Sequence, residues 1–547
     1  GGEVRPFVAR MTTSDAGYRA LRVGLVAGSV ALVAYLHADY GVTWDEPNQH
    51  QYGKYVVRYY ETLFADRSAL SYLDAYLYGA LFDSVAALLV RVSPLGPFET
   101  RHLLNALVGL VGIVGLWKMT RLVGGGIAAA VAAGLLLFEP SYFGHMFNNP
   151  KDIPFAVGYI WSVYLLARCL EQLPGIAGRL QLLTGLAIGL TLGVRVGGLV
   201  LLVYLGAMAV VALVRPAWIG APEAGAGQRL RSLGRSLAGV AGTAWVVMLV
   251  FWPWAQLDPL VRPFQALAAM SRFGVTETGL LNQVLIGGEY QEARDLPVSY
   301  LPHYLGVKLA ETVLLGVVVA AIIAGRRWRR ADADRLRLVR LGLLAGSALL
   351  PPVYAMAVGA VLYDTMRHFL FILPPLCVLS GLGWAAALGW LLPRLPAPGR
   401  RIGLIVGVSL ILAPQVYRIV LLHPHQYVHY NRLAGGVKGA EGRYELDYWA
   451  NSYREAVALL REHVAANENL ESRVVRVWAV GAERSATYYY PDNFVPVSGP
   501  DQADYAISFT RWDLHRRLPG RTIARVQRQG AILAVVNEIG ADRRPGE

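Results

Sequence analysis

The chain has 547 residues, of which 55% are hydrophobic and 16% charged, with a net charge of +13. Soluble proteins carry about 25% charged residues, so this balance excludes a soluble enzyme and implies many membrane-crossing segments. The basic excess sits in short patches between apolar runs, such as Arg326-Arg327-Trp328-Arg329-Arg330 and Arg400-Arg401, which reads as membrane topology and not as a nucleic-acid footprint.

Residues 1–20 have no apolar core and no cleavage site, so no signal peptide is expected and the first span must direct insertion. Arg10, Arg19 and Arg22 precede or open that span, Leu21–Ala38, and put the N-terminus in the cytoplasm. The next apolar stretch, Tyr76–Val92, carries Asp83 and Arg91 and is barely long enough to span. If it crosses, every later loop inverts and the Arg-rich loops become external. A re-entrant or interfacial helix keeps Lys118 and Arg121 cytoplasmic and is the expected arrangement.

Further spans are then expected at Leu103–Thr120, Ile127–Phe138, Phe155–Leu170, Leu182–Leu192, Gly197–Val214, Leu237–Trp254, Leu305–Ala324, Leu341–Leu362, Phe369–Leu391 and Ile402–Leu422, about eleven in all. The expected external loops are 39–101, 139–154 and 255–304, together with the turn Tyr363–His368. Cys169 and Cys377 fall in or beside spans, so no disulfide is expected. The character changes at His423. The tail 423–547 holds an amphipathic helix pattern at Ser452–Ala465 and β-like runs at Val474–Val480, Tyr505–Phe509 and Ile532–Val536, which predict a small external α/β domain.

Candidate chemistry lies at span ends. Asp45 and Glu46 follow the first span within Gly41-Val42-Thr43-Trp44-Asp45-Glu46-Pro47. Such a pair can ligate a divalent cation or take a proton from an attacking hydroxyl; equally, it suits the start of a helix over Gln49–Phe64. In the second loop, His145-Met146-Phe147-Asn148-Asn149-Pro150-Lys151-Asp152 interrupts an apolar stretch, and Asp152 is either functional or another helix cap. Lys151, Arg195 and the Arg367-His368 pair are cations at span ends, free to meet a phosphate or to anchor at the interface. Trp252, Trp254, Tyr300 and Tyr304 read as an interfacial aromatic belt, with a sugar platform as the alternative. The histidines of His423-Pro424-His425-Gln426-Tyr427-Val428-His429 lack the acids and cysteines of a metal site and read as structural. The run Tyr444–Tyr453 is aromatic and acidic, a composition suited to stacking on a sugar.

Three motifs together, the Asp45-Glu46 pair, Asn148-Asn149-Pro150-Lys151-Asp152-Ile153-Pro154 and Met366-Arg367-His368-Phe369-Leu370-Phe371-Ile372-Leu373-Pro374-Pro375, resemble the bacterial dolichyl-phosphate-mannose–protein mannosyltransferase-like family, which includes aminoarabinose-transferase-like enzymes. The resemblance runs from about Ala20 to Leu422. It implies a polytopic α-helical membrane protein of the C-type glycosyltransferase fold in the bacterial cytoplasmic membrane, with its active site and C-terminal domain extracytoplasmic. It implies transfer of a sugar from a polyprenyl-phosphate-linked donor to an external glycan, lipid or protein acceptor, among membrane lipids and without nucleic acid. The residues so implied are Asp45 as the leading catalytic residue, a base or metal-linked acid, with Glu46 beside it and Asp152 as the second-loop acid; Lys151, Arg367, His368 and Arg195 are then candidates for the donor phosphate, and His145, Asn148, Asn149 and Tyr304 for the substrates. A divalent cation (Mg, Mn or Zn) shared by Asp45 and Asp152 is compatible with this set. The tail matches no sugar-binding insert of the eukaryotic protein mannosyltransferases, so a protein acceptor is not implied. A lipid or sugar transporter is the competing reading, but the halves of the chain look unlike and the polar motifs cluster at span ends.

Overall fold

The computed structural model describes residues 15–220, 225–271, 283–328, 334–467 and 473–539. Residues 1–14 and the loop arginines Arg329 and Arg330 lie outside them. In chain order the helices that build the site are α1 (Asp15–Leu36), α2 (Glu46–Glu61), α3 (Leu81–Val90), α4 (Pro97–Leu137), α5 (Pro140–Asn148) and α6 (Asp152–Cys169). Among the described residues six helices are long and apolar enough to cross a membrane, or seven if a bent pair counts as one span. The chain is a multi-pass membrane protein, but this count is below the eleven crossings expected. Part of the difference is that α4, one helix in this count, holds two of the expected spans, and that only Gly24–Asp39 of the first span enters it; the rest has local causes. The helix Gly178–Leu192 has only 15 residues, and α6 carries Asp152 and Arg168 in its terminal turns.

The expected spans Leu103–Thr120 and Ile127–Phe138 are both carried by α4, which ends one residue before Phe138 and breaks at Gly125, where φ is +83°. A straight helix would separate Gly109 and Tyr142 by about 50 Å at 1.5 Å per residue. Instead the Tyr142 hydroxyl donates to the Gly109 carbonyl at 2.9 Å, and the Asn105 amide donates to the His145 carbonyl at 3.3 Å. The chain therefore doubles back at Gly125, a conformation glycine adopts without a Cβ penalty. Helix α3, with ten residues, is about 15 Å long, half the hydrocarbon thickness, so it is too short to cross. Its Asp83 is not left bare in an apolar stretch: it is buried in an ion pair with Arg101 at 2.7 Å.

The expected span Leu305–Ala324 is not one helix. Tyr300–Lys308 and Glu311–Arg326 meet at 113°. Such a break frees backbone groups that must find partners. The Asn431 amide donates to the carbonyls of Gly306 (2.6 Å) and Leu309 (2.8 Å), Asn431 N–H donates to Val307 O at 2.8 Å, and Glu139 accepts from the Ala310 N–H at 3.4 Å. Nor do the aromatics expected to form a belt face the interface. Trp252, Tyr300 and Tyr304 are all buried, and Trp252 donates to the Tyr76 carbonyl at 2.9 Å, tying the first loop to the long one.

The tail forms a five-stranded mixed sheet. With β1 (Gln283–Ile286) and β2 (Glu289–Glu292) forming a hairpin in the long loop, its strands are β3 (Val475–Ala479), β4 (Phe494–Pro496), β5 (Tyr505–Phe509), β6 (Arg521–Arg528) and β7 (Ala531–Glu538), in the order β4-β3-β5-β7-β6. Strands β3, β4 and β5 are parallel, and β7 runs antiparallel to β5 and β6. The helix Tyr453–Ala465 packs on the sheet, as its amphipathic pattern predicts. Strands β4 and β6 and the β1–β2 hairpin were not expected. Strands β2, β4 and β6 are mostly half-exposed to exposed, and β1 buries only Val284 and Leu285, so none has the apolar run that marks β5, which is buried throughout.

The tail touches the first loop closely. Gly41 N–H donates to the Asn451 side-chain oxygen at 2.7 Å, and a Cβ at Gly41 would meet the Asn451 carbonyl oxygen at 2.2 Å. Gly41→Ala should therefore cost about 1–3 kcal/mol of overpacking and lower the thermal unfolding temperature in detergent. Gly206→Ala, where nothing lies within 4 Å of the added methyl, should leave that temperature unchanged.

Candidate active site

Asp45 and Glu46 are adjacent, but their surroundings differ. Glu46 turns inward and is buried. Its carboxylate accepts from the Thr43 N–H at 2.9 Å and the Thr43 hydroxyl at 3.2 Å, and both its oxygens lie 3.1 Å from His102 Nε2. It is thus spent on fixing the loop. Asp45 occupies the cap position of α2 yet makes no capping hydrogen bond, so the helix-cap explanation does not account for its side chain. It is half-buried and makes no side-chain hydrogen bond or ion pair among the described residues. Burial raises its pKa above the usual aspartate range, while Arg367 and Lys151 pull it back down.

The second loop is organised by Asn149. Its side-chain oxygen accepts from the Asp152 N–H at 2.9 Å, so Asn149 takes the capping role and the Asp152 carboxylate is left for other partners. That carboxylate, itself buried, meets Asn149 Nδ2 at 2.8 Å, Arg195 at 2.9 Å and Arg367 at 3.8 Å. Lys151 sits over the Tyr78 ring at 3.9 Å, with Arg195 at 5.6 Å from the same ring. Both cations thereby lie against one aromatic ring.

The third element is the turn before Met366. Asp364 and Thr365 have φ of +54° and +63°, a left-handed conformation that side chains adopt at a cost and that clusters at functional sites. Buried Asp364 receives Arg367 at 2.8 Å and, from the tail, Arg511 at 2.7 Å. Arg367 also lies 4.7 Å from the Trp449 ring. His368 stands edge-on to Tyr363 at 4.6 Å.

The structure thus gathers Asp45, Asp152, Lys151, Arg195 and Arg367, with His368 beside them. Asp364, Arg511 and Tyr78 join this group although the sequence reading assigned them no role. Asp364 lies three residues before Arg367, a spacing that could have suggested it; Arg511, nearly 150 positions further on, had no such signal. His145 and Asn148 belong to the supporting shell. His145 Nε2 lies 3.0 Å from the Tyr448 hydroxyl, and its Nδ1 lies 3.3 Å from Asn149 Nδ2, while Asn148 donates to Asn451 at 3.0 Å. Tyr304 is elsewhere: its hydroxyl is spent on the Leu285 carbonyl at 2.8 Å. The aromatic run Tyr444–Tyr453 is no open sugar platform, since Tyr448, Trp449 and Asp447 are buried where the tail meets the membrane domain. The tail histidines are structural pairs, His423 with Asp39 at 3.0 Å and His425 with Glu455 at 3.1 Å.

Four cations (Lys151, Arg195, Arg367 and Arg511) therefore face three carboxylates (Asp45, Asp152 and Asp364), leaving one positive charge for an anion. The fit to a shared metal ion is poor. Both Asp152 oxygens already meet guanidinium or amide donors, and among the described residues no three His, Cys, Asp or Glu side chains form a ligand group.

Residues 97–225 match the family described as dolichyl-phosphate-mannose-protein mannosyltransferase. The chain resembles that family. The matched segment contains Asn149, Lys151, Asp152 and Arg195. Among solved structures, ArnT from Cupriavidus metallidurans bound to undecaprenyl phosphate is similar at 16% identity, over 98% of this chain and 100% of that one, with a TM-score of 0.47. The Archaeoglobus fulgidus oligosaccharyltransferase AglB, in complex with an inhibitory peptide and a dolichol-phosphate, is similar at 12% identity over 89% of this chain and 70% of that one, with a TM-score of 0.45. Both likenesses are distant. No curated protein matches the chain.

The double pairing of Asp364 gives a direct test of the network. Asp364→Asn takes the near carboxylate from two buried guanidinium groups, leaving Arg367 only the Asp152 carboxylate at 3.8 Å, and should cost about 3–5 kcal/mol. Chemical or thermal unfolding in detergent would measure this, and an unchanged midpoint would mean that the ion pairs carry no weight.

Proposed function

We propose that this chain is a membrane glycosyltransferase that moves a sugar from a polyprenyl-phosphate-linked donor to an extracytoplasmic acceptor, with Asp45 as the catalytic base. One observation carries the reading: the three carboxylates of the site are not equivalent. Asp152 is held by Arg195 and Arg367, and Asp364 by Arg367 and Arg511, whereas Asp45 makes no ion pair among the described residues. A carboxylate locked between guanidinium groups is a poor proton acceptor. An unpaired one whose pKa burial raises is a better base. The family match over residues 97–225 supports the donor class.

In the proposed step the acceptor hydroxyl gives its proton to Asp45 and its oxygen bonds to the anomeric carbon. The bond from that carbon to the phosphate oxygen breaks, and its electron pair leaves with the phosphate. The donor phosphodiester carries one negative charge, and the departing polyprenyl phosphate carries up to two. The single surplus positive charge of the site suits the donor, and Arg367, Arg195 and Lys151 gain interaction as the second charge develops. Such differential binding lowers the barrier. Arginines fill the role that a cation would otherwise take, so transfer is proposed to proceed without a metal. Glu46 and Asp152 act by holding the loop and the arginines, not by touching substrate.

Asp45→Asn preserves shape but removes the base, and should lower kcat by about 10²–10⁴ with little change in the KM for the donor. Because the base works only when deprotonated, wild-type transfer should be lost as pH falls through the raised Asp45 pKa, above the usual aspartate value of about 4. Chelator should not reduce the rate. A polyprenyl-phosphate sugar transfer assay across pH measures all three, and full activity of Asp45→Asn would overturn the reading.

A further inference from the structure

The C-terminal domain has no role in the step above, yet it sends one side chain into the site. Arg511 lies two residues beyond the end of the fully buried strand β5 and is itself buried. Its guanidinium makes four contacts: the Asp364 carboxylate at 2.7 Å, the Tyr448 carbonyl at 2.9 Å, the Trp44 ring at 4.7 Å and the Trp512 ring at 4.4 Å. The last two rings are tilted 43° to each other with centroids 5.9 Å apart, so both indoles converge on the one guanidinium. Trp44 immediately precedes Asp45, and its N–H donates to the carbonyl of Trp449 in the tail at 3.2 Å.

The backbone around Arg511 bears the marks of a constrained site. Trp512 and Asp513 both have positive φ, +52° and +54°, which costs on the order of 1–3 kcal/mol per residue. The same left-handed conformation occurs at Asp364 and Thr365, on the other side of the ion pair. Two unusual turns thus face each other across Arg511–Asp364, one from the membrane domain and one from the tail.

We infer that the C-terminal domain is a working part of the transferase site: Arg511 grips Trp44 and Asp364 together, and so positions the Asp45 carboxylate and the Arg367 guanidinium relative to each other. This rests on Asp45 being the base. Arg511 touches neither reacting atom in this arrangement and is a positioning residue. It contributes in two ways: it fixes the residue beside Asp45, and it adds a positive charge near the Asp45 carboxylate. The charged groups that face Asp45 are Arg367 and Lys151 from the membrane domain, Asp364, and Arg511 from the tail. Of these the three cations lower its pKa and Asp364 raises it.

The test compares purified full-length wild type, Arg511→Lys, Arg511→Ala and, as a control on the tail surface, Arg521→Ala, an exposed residue of the edge strand β6 that pairs with Glu538. Transfer is measured from pH 4 to 9, together with the thermal midpoint of each variant. Arg511→Ala should lower kcat tenfold or more, leave the KM for the donor within about twofold, and move the acid limb of the rate profile upward by about 1 pH unit, as loss of a neighbouring cation does. Arg511→Lys keeps the charge but not the planar grip on two indoles. It should keep the wild-type limb while kcat falls, and guanidinium ion added to Arg511→Ala should restore part of the rate. Arg521→Ala should match wild type. If Arg511→Ala folds, with the wild-type limb and wild-type kcat, the inference is overturned. If it does not fold, Arg511→Lys decides through kcat alone. Full activity of Asp45→Asn in the same assay would instead overturn the proposed reaction.

Discussion

Arg367 lies between two buried carboxylates, Asp364 at 2.8 Å and Asp152 at 3.8 Å, and this shared guanidinium is the point on which the site hangs. Each carboxylate then holds a second arginine, Arg195 on one side and Arg511 on the other. Taking charges out of water costs several kcal/mol per ion, so such a chain is tolerable only where every member is compensated. It therefore makes a rigid array and not simply a stabilising one. Its members come from four separate stretches: the second loop, the end of the helix Gly178–Leu192, the turn around Met366, and the tail. Arranged this way, the network leaves Asp45, among the described residues, as the carboxylate of the site that no side chain pairs directly.

The scaffold explains how such a network can exist beside a membrane. Residues freed by helix breaks are satisfied from other loops, as at the 113° bend after Lys308, where Asn431 and Glu139 take up the exposed backbone groups. The same economy holds at Asn149, which caps α6 so that Asp152 can face the arginines. Glu46 likewise holds the Thr43 turn and frees Asp45 from a structural task. In the last two cases a nearby polar residue does the local structural work and leaves a carboxylate of the site to other tasks.

This division of labour sets what could be read from the sequence. The membrane class, most span positions, the buried strand β5 and the tail helix were legible, because apolar length and periodicity carry them. Asp45, Lys151, Asp152, Arg195 and Arg367 were legible as polar residues at apolar span ends. The difference between Asp45 and Glu46 was not, since adjacent acids look alike until the Thr43 and His102 contacts decide which one is spent. Nor was Tyr304, whose buried hydroxyl answers a carbonyl across the fold. The break after Lys308 was hidden because its compensating partners lie more than 100 residues away in sequence, at Asn431 and Glu139. Arg511 was hidden for the same reason: an arginine between a strand and an indole carries no local mark of the carboxylate it meets 147 positions earlier, at Asp364.

The central claim is geometric: a donor phosphate held by the shared arginines, with Asp45 across the anomeric carbon from it. It is tested most directly by a structure of the protein bound to a non-transferable polyprenyl-phosphonate sugar. The account predicts phosphonate oxygens within hydrogen-bond distance of Arg367 and Arg195, with the Asp45 carboxylate on the opposite face of the anomeric carbon. A phosphonate bound away from both arginines, or an Asp45 carboxylate on the same face as the leaving oxygen, would contradict it.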